Sequence, residues 1–257
     1  MTARYLNVIP STPKKPPALS PIPSEADLDI TNYMVYFDFD NTITPFDVLD
    51  SVIERFSINR DWMIFEEAWI KGRIGSKECL EGQLRSVRAT KKALSAYLST
   101  VPVDPYFTKL LSLFKKMGVS PAIVSDSFSF LIRFILKNNG ISGLRIYSNI
   151  LKFYKDRLIP SFPYTNSLCS HCAHCKTSNL TNEAHPGKKI IYIGDGLSDV
   201  CPAHYADIVF AKSTLLKHFR ETQRQCLSFN NFEDIYNYLK EYRNESHPKV
   251  MRTIVSA

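Results

Sequence analysis

The sequence predicts an α/β fold: a doubly wound, mainly parallel sheet with a small helical cap inserted after the first strand. Three observations predict it. Short apolar runs alternate with segments of helical spacing along most of the chain, which is typical of βαβ units. The first run, Tyr33 to Phe39, is continuously apolar, as expected for a strand buried on both faces. A block of helical segments then separates it from the second strand signal.

The composition is that of an ordinary globular protein. The 257 residues are 44% hydrophobic and 22% charged, enough for one large domain or one domain with an insert. No apolar run approaches the roughly 18 residues of a membrane span, and the amino terminus lacks the apolar core of a signal peptide. We therefore expect a soluble, cytoplasmic protein that does not bind membranes. The net charge of +7 is scattered, which favours phosphorylated small molecules over nucleic acid.

The chain divides into four predicted regions. Residues 1–30 carry six prolines, which predicts a flexible arm that is either a partner-binding tail or a loosely ordered leader. Residues 31–44 and 103–243 are expected to form the sheet-and-helix core. Residues 45–102 are expected to form the cap, and 244–257 a polar tail.

Helical spacing and turn residues predict the elements in order. The cap holds four predicted helices, Asp47–Phe56, Arg60–Lys71, Ser76–Val87 and Thr90–Leu98. The core continues with helix Tyr106–Met117, strand Pro121–Ser125, helix Ser129–Asn138, strand Arg145–Ser148, a hairpin around 149–159, a long polar loop over 160–187, strand Lys189–Ile193, a short helix from Asp199, strand Ile208–Ala211, helix Thr214–Arg224, strand Cys226–Phe229 and helix Phe232–Tyr242.

Polar side chains follow several predicted strands, at the edge where open α/β sheets bind ligands. Gathered carboxylates repel one another unless a cation neutralises them, and a set of oxygen ligands suits Mg²⁺. A lysine and a serine add groups that bind phosphate oxygens. The set comprises Asp38, Asp40, Ser125, Asp126, Lys176, Asp195 and Asp199.

Four motifs in this set resemble those of the haloacid dehalogenase superfamily, and they occur in the same order. The motifs are DFDNTIT from Asp38, the serine of IVSDSF, the lysine of HCK and the GDGLSD run from Gly194. The helical block matches the position of the cap in the phosphoserine-phosphatase-like branch. The resemblance covers about Tyr33 to Tyr242, and it implies a Rossmann-like core and a Mg²⁺-dependent phosphatase.

Longer stretches suggest particular substrates. Three stretches resemble phosphoethanolamine/phosphocholine phosphatases: SDSFSF, the cysteine-bearing loop that ends at Lys176, and GDGLSDVCP. GDGLSDVC and the residues after it are also similar to a methionine-salvage phosphatase. Phosphoserine phosphatases usually carry two glycines after the motif serine, where this chain has Asp126 and Ser127. That departure disfavours phosphoserine itself.

The resemblance implies a role for each carboxylate near the first strand. Asp38 would be the nucleophile that forms an aspartyl-phosphate. Asp40 would protonate the leaving oxygen and later deprotonate the hydrolytic water. Mg²⁺ would be held by Asp38, Asp40 through its backbone carbonyl, and Asp195.

The remaining residues would bind the phosphate or support those that do. Ser125 and Lys176 would hold the phosphate oxygens, and Asp199 would orient Lys176 or a metal-bound water. Asp126 has two interpretations: it faces the ammonium of an amino-alcohol phosphate, or it caps the following helix or is solvated.

A cysteine cluster precedes Lys176. Cys169, Cys172 and Cys175 have local zinc-ligand spacing with histidines between them, but no second pair with matching spacing follows. A structural Zn²⁺ that stiffens this loop is one interpretation, and a reduced, metal-free loop is the other.

The predicted cap contains candidates for substrate recognition. Trp62, Phe65 and Trp69 recur at helical spacing, and form either core or an aromatic cage for a quaternary ammonium. Charged candidates for specificity are Glu66, Glu67, Lys71, Arg73 and Arg85.

We thus expect hydrolysis of a small phosphorylated metabolite. Two alternatives use the same residues differently. One is a phosphotransferase that passes the phosphoryl group to an alcohol, and the other is a catalytically silent phosphate-binding or interaction module.

Overall fold

A seven-stranded sheet forms the centre of the computed structural model, which describes residues 29–167, 171–182 and 187–243. The order of the strands is β4-β3-β2-β1-β5-β6-β7, and neighbouring strands are parallel except for the antiparallel pair β3 and β4. This sheet confirms the predicted fold class. The strands are β1 Tyr33–Phe37, β2 Ala122–Phe128, β3 Arg145–Tyr154, β4 Arg157–Ser161, β5 Lys189–Gly194, β6 Ile208–Ala211 and β7 Leu227–Ser228.

Helices cover both faces of the sheet. They are α1 Val48–Phe56, α2 Trp62–Ile70, α3 Ser76–Leu84, α4 Lys91–Leu98, α5 Phe107–Lys116, α6 Ser129–Asn138, α7 Lys176–Asn182, α8 Val200–Ala203, α9 Ser213–Glu221 and α10 Phe232–Arg243. Apolar residues of α1, α3–α6 and α10 form the core on one face, and those of α7–α9 form the core on the other. In this described part of the chain, no helix is long and apolar enough to cross a membrane.

β1 is buried at all of its positions, as the apolar run predicts. Because side chains alternate along a strand, Val35 and Phe37 enter one core while Met34 and Tyr36 enter the other. The strand ends earlier than predicted, since the backbone turns after Asp38 and bonds back to Phe39 from three successive N–H groups.

Residues 45–102, which we call the inserted block, contain α1–α4. α1 begins at Asp47, whose side chain accepts a hydrogen bond from the Asp50 N–H, and α4 begins at Thr90 in the same way. α1, α3 and α4 contribute to the main core, for example through Val52 and Leu94. By contrast, α2 buries none of its residues. The block is therefore anchored to the sheet by three of its four helices.

The region predicted as a long polar loop contains the largest departure from the predicted elements. α7 begins within it at Lys176, and the buried side chains of this helix are Lys176, Asn179 and Leu180. Because two of those three are polar, the sequence shows no apolar period there. β3 is also longer than predicted, because it continues into the first strand of the predicted hairpin.

Several predictions fall outside the described residues. They include nearly all of the predicted arm, the polar tail and the segment around Cys169. Of the predicted arm, Ile30 is described, and it packs into the main core.

Candidate active site

The carboxyl ends of β1, β2 and β5 meet at one edge of the sheet. The chain leaves β1 towards β2 and later returns on its other side at β5, and open α/β sheets bind ligands at such a switch point. α7 and a 3₁₀ turn, Leu197–Asp199, reach the same edge. The structure gathers there the residues predicted to bind phosphate and metal: Asp38, Asp40, Ser125, Asp126, Lys176, Asp195 and Asp199.

Lys176 is the centre of the hydrogen bonds at this edge. Its Nζ donates to Asp38 Oδ1 at 2.7 Å, to Asp199 Oδ1 at 2.7 Å and to Ser198 Oγ at 2.9 Å. Asp126 Oδ1 lies 3.2 Å from the same nitrogen. Burial lowers the pKa of Lys176, but the charges of Asp199 and Asp38 outweigh it and raise the pKa well above the ordinary value. The ammonium is therefore charged at neutral pH.

Asp38 is buried beside this ammonium. Burial, and then the charge of Asp199, raise the pKa of Asp38 well above its usual range, while Lys176 opposes the shift. One cation therefore does not balance the carboxylates around it.

Asp195 adds a further carboxylate. Its Oδ1 accepts a hydrogen bond from Thr42 Oγ1 at 2.8 Å, and burial together with Asp199 raises its pKa to about 6. Carboxylate oxygens of Asp38, Asp195 and Asp199 lie within 4.8 Å of one another. Oxygen donors that repel one another at this distance suit a hard divalent cation such as Mg²⁺.

Asp199 differs from the other two carboxylates because hydrogen bonds occupy both of its oxygens. Oδ1 accepts from Lys176 Nζ and from Tyr192 OH, at 2.7 and 2.6 Å. Oδ2 accepts from the N–H groups of Asp195 and Gly196, both at 2.9 Å. Asp199 is thus directed at the lysine, which leaves Asp38 and Asp195 as the carboxylates free to bind a metal directly.

Asp40 faces the inserted block. Its Oδ1 accepts a hydrogen bond from the Val48 N–H at 2.9 Å, at the start of α1. Between Asp40 and Val48 the chain turns at Asn41, which has a φ of +54°. Asparagine tolerates this left-handed conformation. Burial, and then the charge of Asp47, raise the pKa of Asp40 well above its usual range. A carboxyl group whose pKa is raised is a better candidate for a general acid than an ordinary aspartate.

Ser125 and Asp126 lie within β2, which continues to Phe128 instead of ending at the serine. The pairing of β2 with β3 shifts register between Ser125 and Phe128, and such irregularities redirect side chains beside functional sites. Phe128 is the N-cap of α6, and no side chain caps that helix. The helix-capping interpretation of Asp126 is therefore wrong, since its carboxylate lies in the pocket beside Lys176.

The pocket at this edge has a volume of about 180 Å³ and two walls. The strand-end wall includes Asp38, Asp40, Ser125, Asp126, Lys176 and Asp195, together with Asn41, Ser127, Gly196, Leu197 and Ser198. The helical wall comes from the inserted block and consists of Asp47, Leu49, Asp50, Glu66, Trp69, Ser76, Cys79, Leu80 and Gln83.

The helical wall is acidic. Burial and the charge of Asp50 raise the pKa of Asp47 to about 7. Asp50 is open to solvent at the pocket mouth, yet partial desolvation and the charge of Glu66 raise its pKa to about 6. The pKa of Glu66 is raised by burial, against a hydrogen bond from Gln83 at 2.8 Å. Among the described residues that line the pocket, Lys176 is the one cationic side chain.

The pocket separates the recognition candidates of the inserted block. Of its five charged candidates, Glu66 lines the pocket, whereas Glu67, Lys71, Arg73 and Arg85 do not. Of the two interpretations of the aromatic residues, the cage is wrong, because Trp69 reaches the pocket while Trp62 packs on the core and Phe65 lies against Gly82.

A seam of backbone contacts joins the inserted block to the loop before Lys176. Ser76 N donates to His171 O at 2.8 Å, and Ala173 N donates to Ser76 Oγ at 2.7 Å. A Cβ on Gly75 would lie 2.5 Å from His171 O, so a larger residue does not fit without movement. The inserted block is therefore in direct contact with the loop that leads to Lys176.

The cysteine cluster gives no support to a zinc site in the described part of the chain. Cys169 lies outside it, and the group of possible metal ligands found within it is Asp38, Asp195 and Asp199. Cys175 Sγ instead accepts a hydrogen bond from Ser178 Oγ at 3.0 Å.

Sequence reasoning missed several side chains at the site. Thr42, Tyr192 and Ser198 contact the predicted residues directly. Thr42 lies in the DFDNTIT motif and Ser198 in the GDGLSD motif. Their hydroxyls could therefore have been chosen as candidates from the sequence. Tyr192 lies in a buried strand, where a tyrosine cannot be distinguished from other aromatic core residues.

Comparisons with known proteins identify the family of this chain. The model of the family described as "Putative Phosphatase" matches residues 33–230. A 2-hydroxy-3-keto-5-methylthiopentenyl-1-phosphate phosphatase of Brevibacillus brevis is 25% identical and covers 82% of this chain and 97% of its own length. The enzyme with the same name from Bacillus cereus is 27% identical, with coverages of 80% and 95%.

Solved structures share the fold. A HAD family hydrolase from Salmonella enterica serovar Typhi has a TM-score of 0.64 at 18% identity, and the match covers 84% of this chain and 72% of that one. A phosphoserine phosphatase from T. onnurineus has a TM-score of 0.60 at 14% identity, with coverages of 81% and 94%. The chain belongs to the "Putative Phosphatase" family and is a phosphatase that shares its fold with a solved HAD family hydrolase.

Proposed function

We propose that this protein hydrolyses a small phosphomonoester through an aspartyl-phosphate on Asp38. The contact that carries the proposal is the buried ion pair of Lys176 and Asp38 at 2.7 Å, at the carboxyl end of β1. A carboxylate held beside a fixed cation can approach an anionic phosphate, which the cation also attracts.

The residues of this chain supply the steps in two halves. A carboxylate oxygen of Asp38 attacks phosphorus, and the bond to the leaving oxygen breaks as Asp40 donates a proton to that oxygen. Asp40 then takes a proton from water, whose oxygen attacks the same phosphorus and releases phosphate from Asp38. Lys176 and Ser125 hold the phosphate oxygens during both halves.

The oxygen donors at the site fit Mg²⁺. Asp38, Asp195 and the backbone carbonyl of Asp40 would hold it, whereas the oxygens of Asp199 are occupied by hydrogen bonds. When bound, Mg²⁺ supplies positive charge that neutralises the carboxylates and the phosphate.

Phosphate release from a panel of phosphorylated metabolites tests this function. We expect release that requires Mg²⁺ and that falls by at least about 1000-fold in Asp38→Asn. The panel contains phosphoethanolamine, phosphocholine, phosphoserine and sugar phosphates, with an aryl phosphate as a general substrate. Activity of Asp38→Asn equal to wild type would overturn the nucleophile. Transfer of phosphate to added glycerol in preference to water would make the protein a phosphotransferase.

We further propose that the substrate carries a positive charge close to its phosphate. The helical wall presents Asp47, Asp50 and Glu66 to a pocket of about 180 Å³. This volume lies below the roughly 300 Å³ at which pockets for larger ligands begin. Carboxylates that repel one another gain most from a ligand cation, so an amino-alcohol phosphate fits better than the keto-phosphate named for the bacterial relatives.

Neighbouring glutamates of α2 offer a matched test of this substrate class. We expect Glu66→Gln to raise the KM for phosphoethanolamine about fivefold, because a charge contact of a half-buried carboxylate that is still reached by solvent is worth about 1 kcal/mol. Glu67→Gln removes the same charge from the next residue, which pairs with Lys71 outside the pocket, and should leave that KM unchanged. Asp126→Asn tests the carboxylate of the strand-end wall in the same way, by comparing its activity on phosphoethanolamine with its activity on a sugar phosphate. Equal losses of activity on phosphoethanolamine and on a sugar phosphate would rule out cation recognition.

A further inference from the structure

Tyr192 lies beneath the site in the middle of β5. Its side chain is fully buried, and its hydroxyl donates a hydrogen bond of 2.6 Å to Asp199 Oδ1. The same oxygen accepts the 2.7 Å hydrogen bond from Lys176 Nζ. A single carboxylate oxygen is therefore shared between a phenol and the ammonium that contacts Asp38.

The position of that oxygen is fixed by the rest of the carboxylate. Asp199 Oδ2 accepts from two backbone N–H groups, those of Asp195 and Gly196. These bonds anchor Oδ2 to the turn after β5, so the carboxylate cannot rotate away from Lys176. What remains adjustable is how strongly Oδ1 attracts the lysine.

We propose that Tyr192 is a positioning residue for Lys176 and acts through Asp199. Its hydrogen bond withdraws electron density from Asp199 Oδ1 and thereby weakens the hold of that oxygen on the ammonium. Lys176 then keeps its contact with Asp38 and remains available to the phosphate. Without the phenol, Asp199 draws the lysine towards itself. This inference rests on the function proposed above, because it concerns the same site.

A matched control lies on the neighbouring strand. Tyr36 of β1 pairs with Tyr192 across the sheet, belongs to the same core cluster and is equally buried. Tyr36 is not one of the four donors to Asp199 described above. Tyr36→Phe therefore removes a buried hydroxyl from the same core and leaves those four donors in place.

The experiment measures kcat and KM of Tyr192→Phe and Tyr36→Phe on the best substrate of the panel. We expect kcat to fall about tenfold in Tyr192→Phe, as for the loss of one hydrogen bond to a charged group. KM should change by less than about twofold, since the lysine acts mainly on the transferring phosphate. Tyr36→Phe should keep wild-type kcat.

A double-mutant cycle separates this role from core packing. In the Asp199→Ala background, Tyr192→Phe should have no further effect on kcat, because the oxygen that Tyr192 and Lys176 share is absent. A full tenfold loss in that background would overturn the proposal, as would equal kcat values for Tyr192→Phe and Tyr36→Phe. If Tyr192→Phe does not fold, Tyr192→Met supplies a second side chain without a hydroxyl. An inactive wild type would instead refute the proposed function.

Discussion

The two walls of the pocket use the same chemical group in different ways. In the strand-end wall, the carboxylates of Asp38 and Asp199 each accept a hydrogen bond from Lys176 within 2.7 Å. In the helical wall, Asp47, Asp50 and Glu66 have no lysine or arginine beside them among the described residues that line the pocket. Burial raises all three pKa values, and the charge of Asp50 adds to the shift of Asp47, as the charge of Glu66 adds to the shift of Asp50.

The strand-end wall therefore has Asp38 and Asp199 paired with a cation before substrate binds. The helical wall has charges that a ligand can neutralise. Buried carboxylates with a fixed cation keep one geometry whether or not substrate is present. Carboxylates that repel one another are stabilised when a positive group enters between them. We infer that the sheet supplies the reaction and that the inserted block, acting as the predicted cap, supplies the preference among substrates.

The largest effect should come from removing the cation of the strand-end wall. Lys176→Met leaves Asp38 and Asp199 buried without their partner, and breaking a buried pair in this way costs about 3–5 kcal/mol in the free energy of unfolding. Urea denaturation measures it. Lys217→Met removes an exposed lysine 3.9 Å from Glu221 and should change stability by less than about 1 kcal/mol. Equal losses would show that the two carboxylates do not depend on Lys176.

The next effect concerns the metal. Asp195→Asn keeps an oxygen that accepts the Thr42 hydrogen bond but removes a negative charge, so we expect Mg²⁺ to bind more weakly. Activity should fall by at least about 100-fold at fixed Mg²⁺, and part of it should return at higher Mg²⁺. Asp207→Asn alters a carboxylate that accepts from the Ile190 N–H, and the Mg²⁺ dependence should not change. Wild-type Mg²⁺ dependence in Asp195→Asn would remove this residue from the metal site.

The helical wall should respond to pH. Asp47 and Asp50, with pKa values of about 7 and about 6, take up protons and lose their charge as pH falls through those values. We therefore expect the KM for phosphoethanolamine to rise several-fold between pH 8 and pH 5.5, relative to the KM for a sugar phosphate. The ratio cancels the titration of the phosphate itself. A ratio that stays constant over this range contradicts cation recognition by these two residues.

The smallest effect should come from the seam between the inserted block and the loop before Lys176. Ser76→Ala removes the acceptor of the Ala173 N–H, and one such hydrogen bond contributes about 1 kcal/mol to stability. We expect a fall of a few degrees in Tm and an increase of about twofold in KM. Ser99→Ala removes a hydroxyl bonded to the Ala96 carbonyl and provides the control. If it alters KM as much as Ser76→Ala does, the seam has no special role.

The sheet and the order of the site motifs could be predicted because their signals are local. The buried run of β1 and the carboxylates after it are neighbours in the chain, and the strand ends converge by a general rule of parallel sheets. The helical wall could not be predicted in the same way. Which face of α1 or α2 turns inward depends on how the inserted block packs, and Asp47 and Asp50 resemble ordinary acidic residues in the first turn of a helix.

The start of α7 and the role of Tyr192 could not be predicted from the sequence either, because neither has a local sequence signal. α7 buries polar side chains, so its sequence shows no apolar period. Tyr192 matches the aromatic pattern of a core strand, and its hydroxyl gains meaning from Asp199, which approaches it through the turn after β5. Both features depend on polar contacts between separate segments.

The close approach of Gly75 to His171 has a consequence for how such chains can diverge. Because a Cβ at position 75 would meet the carbonyl of His171 at 2.5 Å, a related chain with a side chain there must also carry a displaced or shortened loop before its lysine. The sequence around Gly75 and the loop around His171 are therefore expected to change together during evolution. New substrate preferences should arise more readily by exchanging the inserted block together with that loop than by exchanging the block alone.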